Sequence, residues 1–193
     1  MDQTKITDIP AAFPLLEAKC KEIGFTMPSD IYIGTLLKSL IASKLQANVL
    51  ELGTGIGLSL AWMIEGLDEQ AKLISIDNDP ALTEIAIEFF GNDDRVKILC
   101  EDGGEWIRNY QGESFDLVFA DAWPGKYSEL DEVLALIKPG GFYVIDDMNP
   151  QPNWPEGHQE KAEALVAYLK SRKDFTLTKM NWSTGVILMT KKG

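Results

Sequence analysis

Three glycines at positions 53, 55 and 57, set directly behind the apolar run Val49-Leu50-Glu51-Leu52, constrain this chain more than any other feature. Glycine at such a place lets the backbone turn sharply from a strand into a helix and come close to a ligand. Residues 58–67 resume a helical spacing, so the segment reads strand, glycine turn, helix. The same glycines would also ease packing of the helix on a sheet, and the run alone leaves both uses open.

That unit is the first of a series. Strand patterns at 72–77, 96–101 and 115–121, and a further strand ending at Asp146, alternate with helical patterns at 80–90, 104–110 and 127–137. Pro80 opens the first of these helices, and Lys138-Pro139-Gly140-Gly141 turns the chain into the fifth strand. Five β units separated by helices predict a doubly wound α/β fold on a parallel sheet. A helix at 159–171 then precedes β-rich runs at 175–182 and 185–190, and the two-residue link Ser183-Thr184 demands an antiparallel hairpin. Residues 11–23 and 31–45 predict two amphipathic helices beside the sheet. A chain of 193 residues suits a single domain, with residues 1–46 as N-terminal helices on a core of residues 47–193.

Composition narrows the partners. With 45% hydrophobic and 25% charged residues the chain is far from the signature of disorder. Thirty acidic against 18 basic side chains give a net charge of -12, and no Lys/Arg block offsets it, which argues against nucleic acid as a partner. Residues 1–8 are polar, and no apolar run approaches the ~20 residues that span a bilayer. The expectation is a cytoplasmic protein with no membrane attachment. Cys20 and Cys100 are too few for a disulfide framework and read as two reduced core thiols.

A dinucleotide fingerprint would place its third glycine at position 58, which is Leu58. Glu51, two residues before the first glycine, would repel a pyrophosphate and pair with a cationic amino group. Asp77, at the end of the second β unit, stands where a carboxylate accepts from ribose hydroxyls, although a helix cap ahead of Pro80 is an equal use. Asp102 follows the third β unit and suits either an adenine amino group or the cap of the next helix. These acidic residues end successive strands, along the crevice where open α/β sheets bind ligands.

The run Glu51 to Gly57, with Asp77, Asp102 and the terminal hairpin, resembles the class I S-adenosylmethionine-dependent methyltransferases over nearly the whole chain. The resemblance implies a seven-stranded, mostly parallel, Rossmann-like sheet with an antiparallel last strand. It further implies S-adenosylmethionine as cofactor, with Glu51 near its methionine amino group, Asp77 on the ribose and Asp102 near the adenine. Gly53, Thr54, Gly55, Gly57, Ser59, Asn78 and Asp121 complete the cofactor set that it implies.

Within that class, the segment from Phe119 to Tyr127 and Val144-Ile145-Asp146-Asp147 resemble the catechol and caffeoyl-CoA O-methyltransferases. That likeness implies transfer of a methyl group to an oxygen of a small-molecule acceptor, a divalent cation such as Mg²⁺ on Asp121, Asp146 and Asp147, and a homodimer. Two positions depart from the pattern. Asp147 stands where the group carries asparagine, and Pro124 stands where it carries its catalytic lysine.

With Pro124 unable to act as a base, Lys126 and His158 join Asp121 as catalytic candidates. Lys126 would equally serve as an exposed helix-start residue. His158, the only histidine, follows Pro152-Asn153-Trp154-Pro155 in a segment suited to a lid, though a lone histidine also serves as cap or surface residue. Trp123, Tyr127 and Trp154 would wall an aromatic site, whereas Trp62, Trp106 and Trp182 lie in patterned elements and predict packing. Two other readings stay open: a cofactor-binding or partner-binding module without turnover, and a nucleotide-dependent dehydrogenase.

Overall fold

The computed structural model describes residues 2, 5–151 and 154–193, so Met1, Gln3 and Thr4, and Pro152 and Asn153 of the expected lid, lie outside the described residues. The chain runs α1 (Phe13–Ile23), α2 (Ile31–Ala42), β1 (Asn48–Leu52), α3 (Leu58–Gly66), β2 (Lys72–Asp77), α4 (Pro80–Phe90) and β3 (Val96–Cys100). It continues through α5 (Gly103–Asn109), β4 (Phe115–Ala120), α6 (Leu130–Ala135), β5 (Ile137–Ile145), α7 (His158–Ser171), β6 (Phe175–Met180) and β7 (Val186–Lys191).

The seven strands form one sheet in the order β3-β2-β1-β4-β5-β7-β6. Strands β1 to β5 are parallel, and β7 runs antiparallel to both neighbours, β5 and β6. The expected doubly wound sheet with an antiparallel last strand is therefore the one observed. Strand order reverses between β1 and β4, and the crevice outside such a reversal is the usual ligand site of open α/β sheets.

Apolar burial explains the layers. One face of the sheet packs Leu50, Leu52, Val118, Tyr143 and Ile145 against Leu165 and Leu169 of α7. On the other, Ile33, Leu37 and Ile41 of α2 cover Val49, Leu117, Phe119 and Val144. Helix α1 adds Phe13, Leu16 and Cys20 around the fully buried Trp62 of α3, with the Phe13 and Trp62 rings edge-on at 5.7 Å. Each fully buried side chain of this size contributes on the order of 1.5–3 kcal/mol, which ties the N-terminal helices to the sheet.

Capping sets the helix starts. Asp30 accepts from the Tyr32 and Ile33 N–H groups at 2.7 and 3.1 Å, and Asp79 caps α4 through Ala81 and Leu82. The capping carboxylate before Pro80 is thus Asp79, which leaves Asp77 available.

Several boundaries differ from expectation. Helix α2 stops at Ala42, and Leu45 beyond it is 89% exposed. A helix was expected over 127–137, but α6 is shorter because residues 123–128 form a hydrogen-bonded turn and Ile137 already pairs with Phe115. The β6–β7 connection spans residues 181–185 rather than two residues; Gly185 lies at φ +91°, and a Cβ there would collide with Asn149. Cys20 is a buried free thiol, but Cys100 is exposed at the end of an edge strand, not in the core. Among the described residues no helix is long and apolar enough to cross a membrane.

Candidate active site

The C-terminal ends of β1, β2, β4 and β5 open into one cavity of about 590 Å³, within the ~300–1,000 Å³ typical of small-molecule sites. Gly53, Thr54 and Gly55 line it beside Asp77 and Asn78. Asp121 and Lys126 line it behind β4, Asp146 and Asp147 behind β5, and His158 from the first turn of α7. These ten expected site residues meet in one place.

Glu51, Gly57, Ser59 and Asp102 do not line that cavity. Glu51 is fully buried, and its two carboxylate oxygens accept from the hydroxyls of Ser59 and Ser75. Burial pushes its pKa up to about 8 against the pull of those two hydrogen bonds. It therefore anchors α3 and β2 to β1. Gly57 caps α3 in the left-handed region at φ +96°, where a Cβ would meet the Phe90 ring at 2.9 Å. Asp102 caps α5 through the Glu105 N–H at 2.7 Å and faces a neighbouring depression walled by Trp106 and Tyr110.

At the β2 end, Asp77 accepts from the Gly55 N–H at 2.8 Å and from the Asp79 N–H at 3.0 Å. A carboxylate offers about four acceptor sites, so two remain for a ligand diol. Among the described residues the walls carry Asp30, Asp77, Asp79, Asp121, Asp146 and Asp147 against the single cation Lys126. So acidic a crevice suits a cationic ligand group and opposes a polyphosphate.

At the β4–β5 end, a turn delivers Lys126 inward. The Trp123 carbonyl accepts from the N–H groups of Lys126, Tyr127 and Ser128, and the Gly125 carbonyl accepts from the Tyr143 hydroxyl. Gly125 sits at φ +81°, 2.4 Å from Leu52 Cδ1 for any added Cβ, so only glycine fits this turn. Lys126 is 5% exposed, not the surface residue of a helix start, and its Nζ donates to the Asp146 carbonyl at 2.6 Å.

Burial pushes the Asp121 carboxyl up to about 7, with Lys126 opposing the rise and Asp146 and Asp147 adding to it. Asp146 rises to about 6 for the same first reason, although the Thr184 hydroxyl and the Asp147 N–H hold it down. Strand β5 ends at Ile145 and Asp147 takes φ +55°, which is how adjacent aspartates both reach the cavity.

The three aspartates share one wall of the cavity but are not gathered as the ligands of a cation. Asp146 Oδ1 accepts from the Thr184 hydroxyl at 2.6 Å and from the Asp147 N–H at 2.8 Å. Asp121 Oδ2 accepts from the Ser29 hydroxyl at 3.2 Å, and the Lys126 ammonium lies within their field. Among the described residues no group of three or more His, Cys, Asp or Glu could hold a metal ion.

His158 packs among aromatics: its ring centroid lies 4.5 Å from Trp154, 5.2 Å from Tyr127 and 6.0 Å from Trp123. Burial, then Lys126 and Lys161, lower its pKa, so the ring is neutral at pH 7. Nε2 lies 3.3 Å from the Tyr127 hydroxyl, while the buried Nδ1 has no partner among the described residues. Trp62, Trp106 and Trp182 do pack: Trp62 is fully buried, Trp106 stacks on Tyr110, and Trp182 lies against Tyr32.

Sequence reasoning missed the stretch at residues 25–30 and Thr184. Phe25, Met27, Ser29 and Asp30 line the cavity from the α1–α2 connection. The helix-start run Pro28-Ser29-Asp30 marks where α2 begins, but nothing in it signals a ligand.

Residues 12–182 match the O-methyltransferase family. A putative O-methyltransferase of Mycolicibacterium vanbaalenii is 32% identical over 118 residues, 58% of this chain and 52% of that protein. Catechol O-methyltransferase B of Danio rerio is 28% identical over 169 residues, 81% of this chain and 64% of that protein. The match thus spans about half the length of the mycobacterial relative. The crystal structure of an O-methyltransferase from Bacillus cereus, in complex with SAH, superposes with a TM-score of 0.81 at 20% identity, over 99% of this chain and 94% of that one. With the family's pattern running through 12–182 and the fold matched along nearly its whole length, the chain belongs to the O-methyltransferase family.

Proposed function

We propose that the chain is a methyltransferase that uses S-adenosylmethionine to methylate an oxygen of a small acceptor. The observation that carries this reading is the single cavity, in which the Gly53–Gly55 backbone and Asp77 stand at one end and Lys126, Tyr127 and His158 at the other. When bound, S-adenosylmethionine supplies an electrophilic methyl group on a sulfonium sulfur. Asp77 and Asn78 hold the ribose hydroxyls, and the acidic walls favour the sulfonium charge. Glu51 and Ser59 act from behind, by fixing the glycine turn to β1 and β2.

At the other end, Trp123, Tyr127 and Trp154 exclude water from an aromatic acceptor. His158 takes the acceptor's hydroxyl proton, and the neutral imidazole is the form that can accept it. A divalent cation, if bound, would be held by Asp121, Asp146 and Asp147 and would polarise the acceptor oxygen, and no step here depends on it. Alignment of the two reactants in a closed crevice supplies most of the remaining acceleration.

The test is calorimetric titration with S-adenosylhomocysteine, with NAD as control, followed by transfer of labelled methyl from S-adenosylmethionine to a panel of hydroxyaromatics. Micromolar binding of S-adenosylhomocysteine, about -8 kcal/mol, with far weaker NAD binding is expected. Equal affinities would return the dehydrogenase reading, and binding without any transfer would favour the module without turnover.

A further inference from the structure

Four side chains, Ser59, Glu51, Ser75 and Thr54, form a hydrogen-bonded row beneath the glycine turn. The Ser59 hydroxyl bonds Glu51 Oε1, the Ser75 hydroxyl bonds Glu51 Oε2, and Ser75 Oγ also lies 2.5 Å from Thr54 Oγ1. All four are buried. Thr54 is the outer member of the row and also a wall residue of the cavity. It stands between Gly55, whose N–H bonds Asp77, and Gly53, where an added Cβ would press on the Asp121 carbonyl. The groups acting on the Glu51 carboxyl are Ser59 from α3, Ser75 and Asp77 from β2, and Asp121 from the end of β4, none of them cationic. Burial, with the two aspartates adding to it, raises the carboxyl to about 8, so the free protein holds it as a neutral acid at pH 7.

A hydroxyl has one proton to give, so Ser75 and Thr54 point one way at a time. With Glu51 ionised, Ser75 donates to Oε2, Thr54 donates to Ser75, and the remaining lone pairs of Thr54 are left for other partners. With a proton on Oε2, Glu51 donates to Ser75, Ser75 donates to Thr54, and the Thr54 proton turns away from the row. Between Thr54 and Ser75 either atom can be the donor.

We propose that Glu51 is a proton-linked positioning residue for the cofactor: it is neutral in the free protein and ionises when the ammonium of the cofactor's aminoacyl group enters the cavity, Ser75 and Thr54 reversing their donor direction in step. This rests on the methyl-transfer reading above and adds a proton to its binding reaction. One proton leaves the carboxyl for solvent as one positive charge arrives, so the net charge of the site is conserved. Two observations set this apart from a buried acid that only holds α3 and β2 to β1. The carboxyl is joined to a cavity wall residue through hydroxyls able to reverse. The two carboxylates whose repulsion helps to keep it neutral, Asp77 and Asp121, are themselves wall residues, so a cation at that wall offsets the repulsion.

The test is calorimetry with S-adenosylhomocysteine at pH 7 in two buffers of different ionisation enthalpy, which counts the protons released on binding. The reference probe is 5′-methylthioadenosine, the same nucleoside without the amino-acid group. The wild type is expected to release about one proton more with S-adenosylhomocysteine than with the reference probe. Glu51→Gln, whose amide donates to Ser75 at every pH, should lose about one proton from that count, and its affinity should fall further behind the wild type as pH is raised. Thr54→Val, which keeps the buried acid and removes the outer end of the row, should lose the same proton. Equal counts for the two probes in the wild type, or a Glu51→Gln count equal to the wild type's, would overturn the proposal. Should Glu51→Gln fail to fold, Thr54→Val decides by the same count. No binding of S-adenosylhomocysteine in either buffer would sink the methyl-transfer reading and this proposal with it, whereas binding without the proton difference sinks this proposal alone.

Discussion

The Gly55 N–H donates to Asp77 Oδ2 at 2.8 Å, so the carboxylate at the end of β2 holds the glycine turn behind β1 in shape as well as facing the cavity. Removing it does two things at once. Asp77→Ala should weaken S-adenosylhomocysteine binding by about 1.5–3 kcal/mol, whereas Asp77→Asn, which keeps an acceptor for Gly55, should lose less. Calorimetry on both variants checks this, and equal affinities for wild type and alanine variant would remove Asp77 from the site.

Gly57 separates packing from binding. Alanine there must adopt φ +96° and push against the Phe90 ring. Gly57→Ala should destabilise the protein by about 1–3 kcal/mol in urea denaturation. The folded fraction should bind S-adenosylhomocysteine as the wild type does, because Gly57 does not line the cavity.

Stability should fall as pH rises from about 5 to 8. Glu51 and Asp121 have folded pKa values raised to about 8 and about 7 from ordinary values of 4.5 and 3.8. Between those values the folded state holds protons that the unfolded chain has released, so the added stability is complete below the ordinary value and gone above the raised one. The groups facing Glu51 are Ser59, Ser75, Asp77 and Asp121, none of them cationic. His158, lowered in the folded state, contributes a smaller opposite slope near and below pH 6.5. Melting temperature against pH should therefore decline toward pH 8 in the wild type and flatten in Glu51→Gln; a rising wild-type curve over pH 7–8 would contradict the burial of Glu51 as an acid.

Replacing the proposed base tests the chemistry apart from binding. With a hydroxyaromatic that is turned over, His158→Gln should lower kcat by roughly 10²–10⁴-fold and leave the S-adenosylhomocysteine Kd within about twofold, since His158 sits at the acceptor end. A change confined to KM would assign His158 to binding instead.

The alternation of strand and helix patterns and the one early glycine were legible because both express backbone rules: apolar periodicity and positive φ leave marks in a single sequence. So did the cavity residues at strand ends, from Asp77 to Asp147. Glu51 was misplaced because a strand-end carboxylate looks the same whether it faces a ligand or lies beneath a helix; only the register against Ser75 and the approach of Ser59 from α3 decide it. Lys126 was ambiguous for a related reason. Its inward course depends on Gly125 lying against Leu52 and on Tyr143 bonding its carbonyl, contacts made by residues far away in the chain. The stretch at residues 25–30 reaches the cavity only through tertiary packing and carries no local mark.

The insertion of β7 between β5 and β6 dictates an order of assembly. The β1–β2 end of the crevice can form once residues up to about 100 are available, since β1, β2 and β3 pair among themselves. The acceptor end cannot. Strand β5 has no partner on its outer side until residues 186–191 emerge from the ribosome, and Asp146 lacks its Thr184 hydroxyl until the same moment. A nascent chain stalled before β7 would expose Tyr143, Val144 and Ile145 on an unpaired edge, a species for chaperones to shield, with a glycine turn in place and no acceptor pocket.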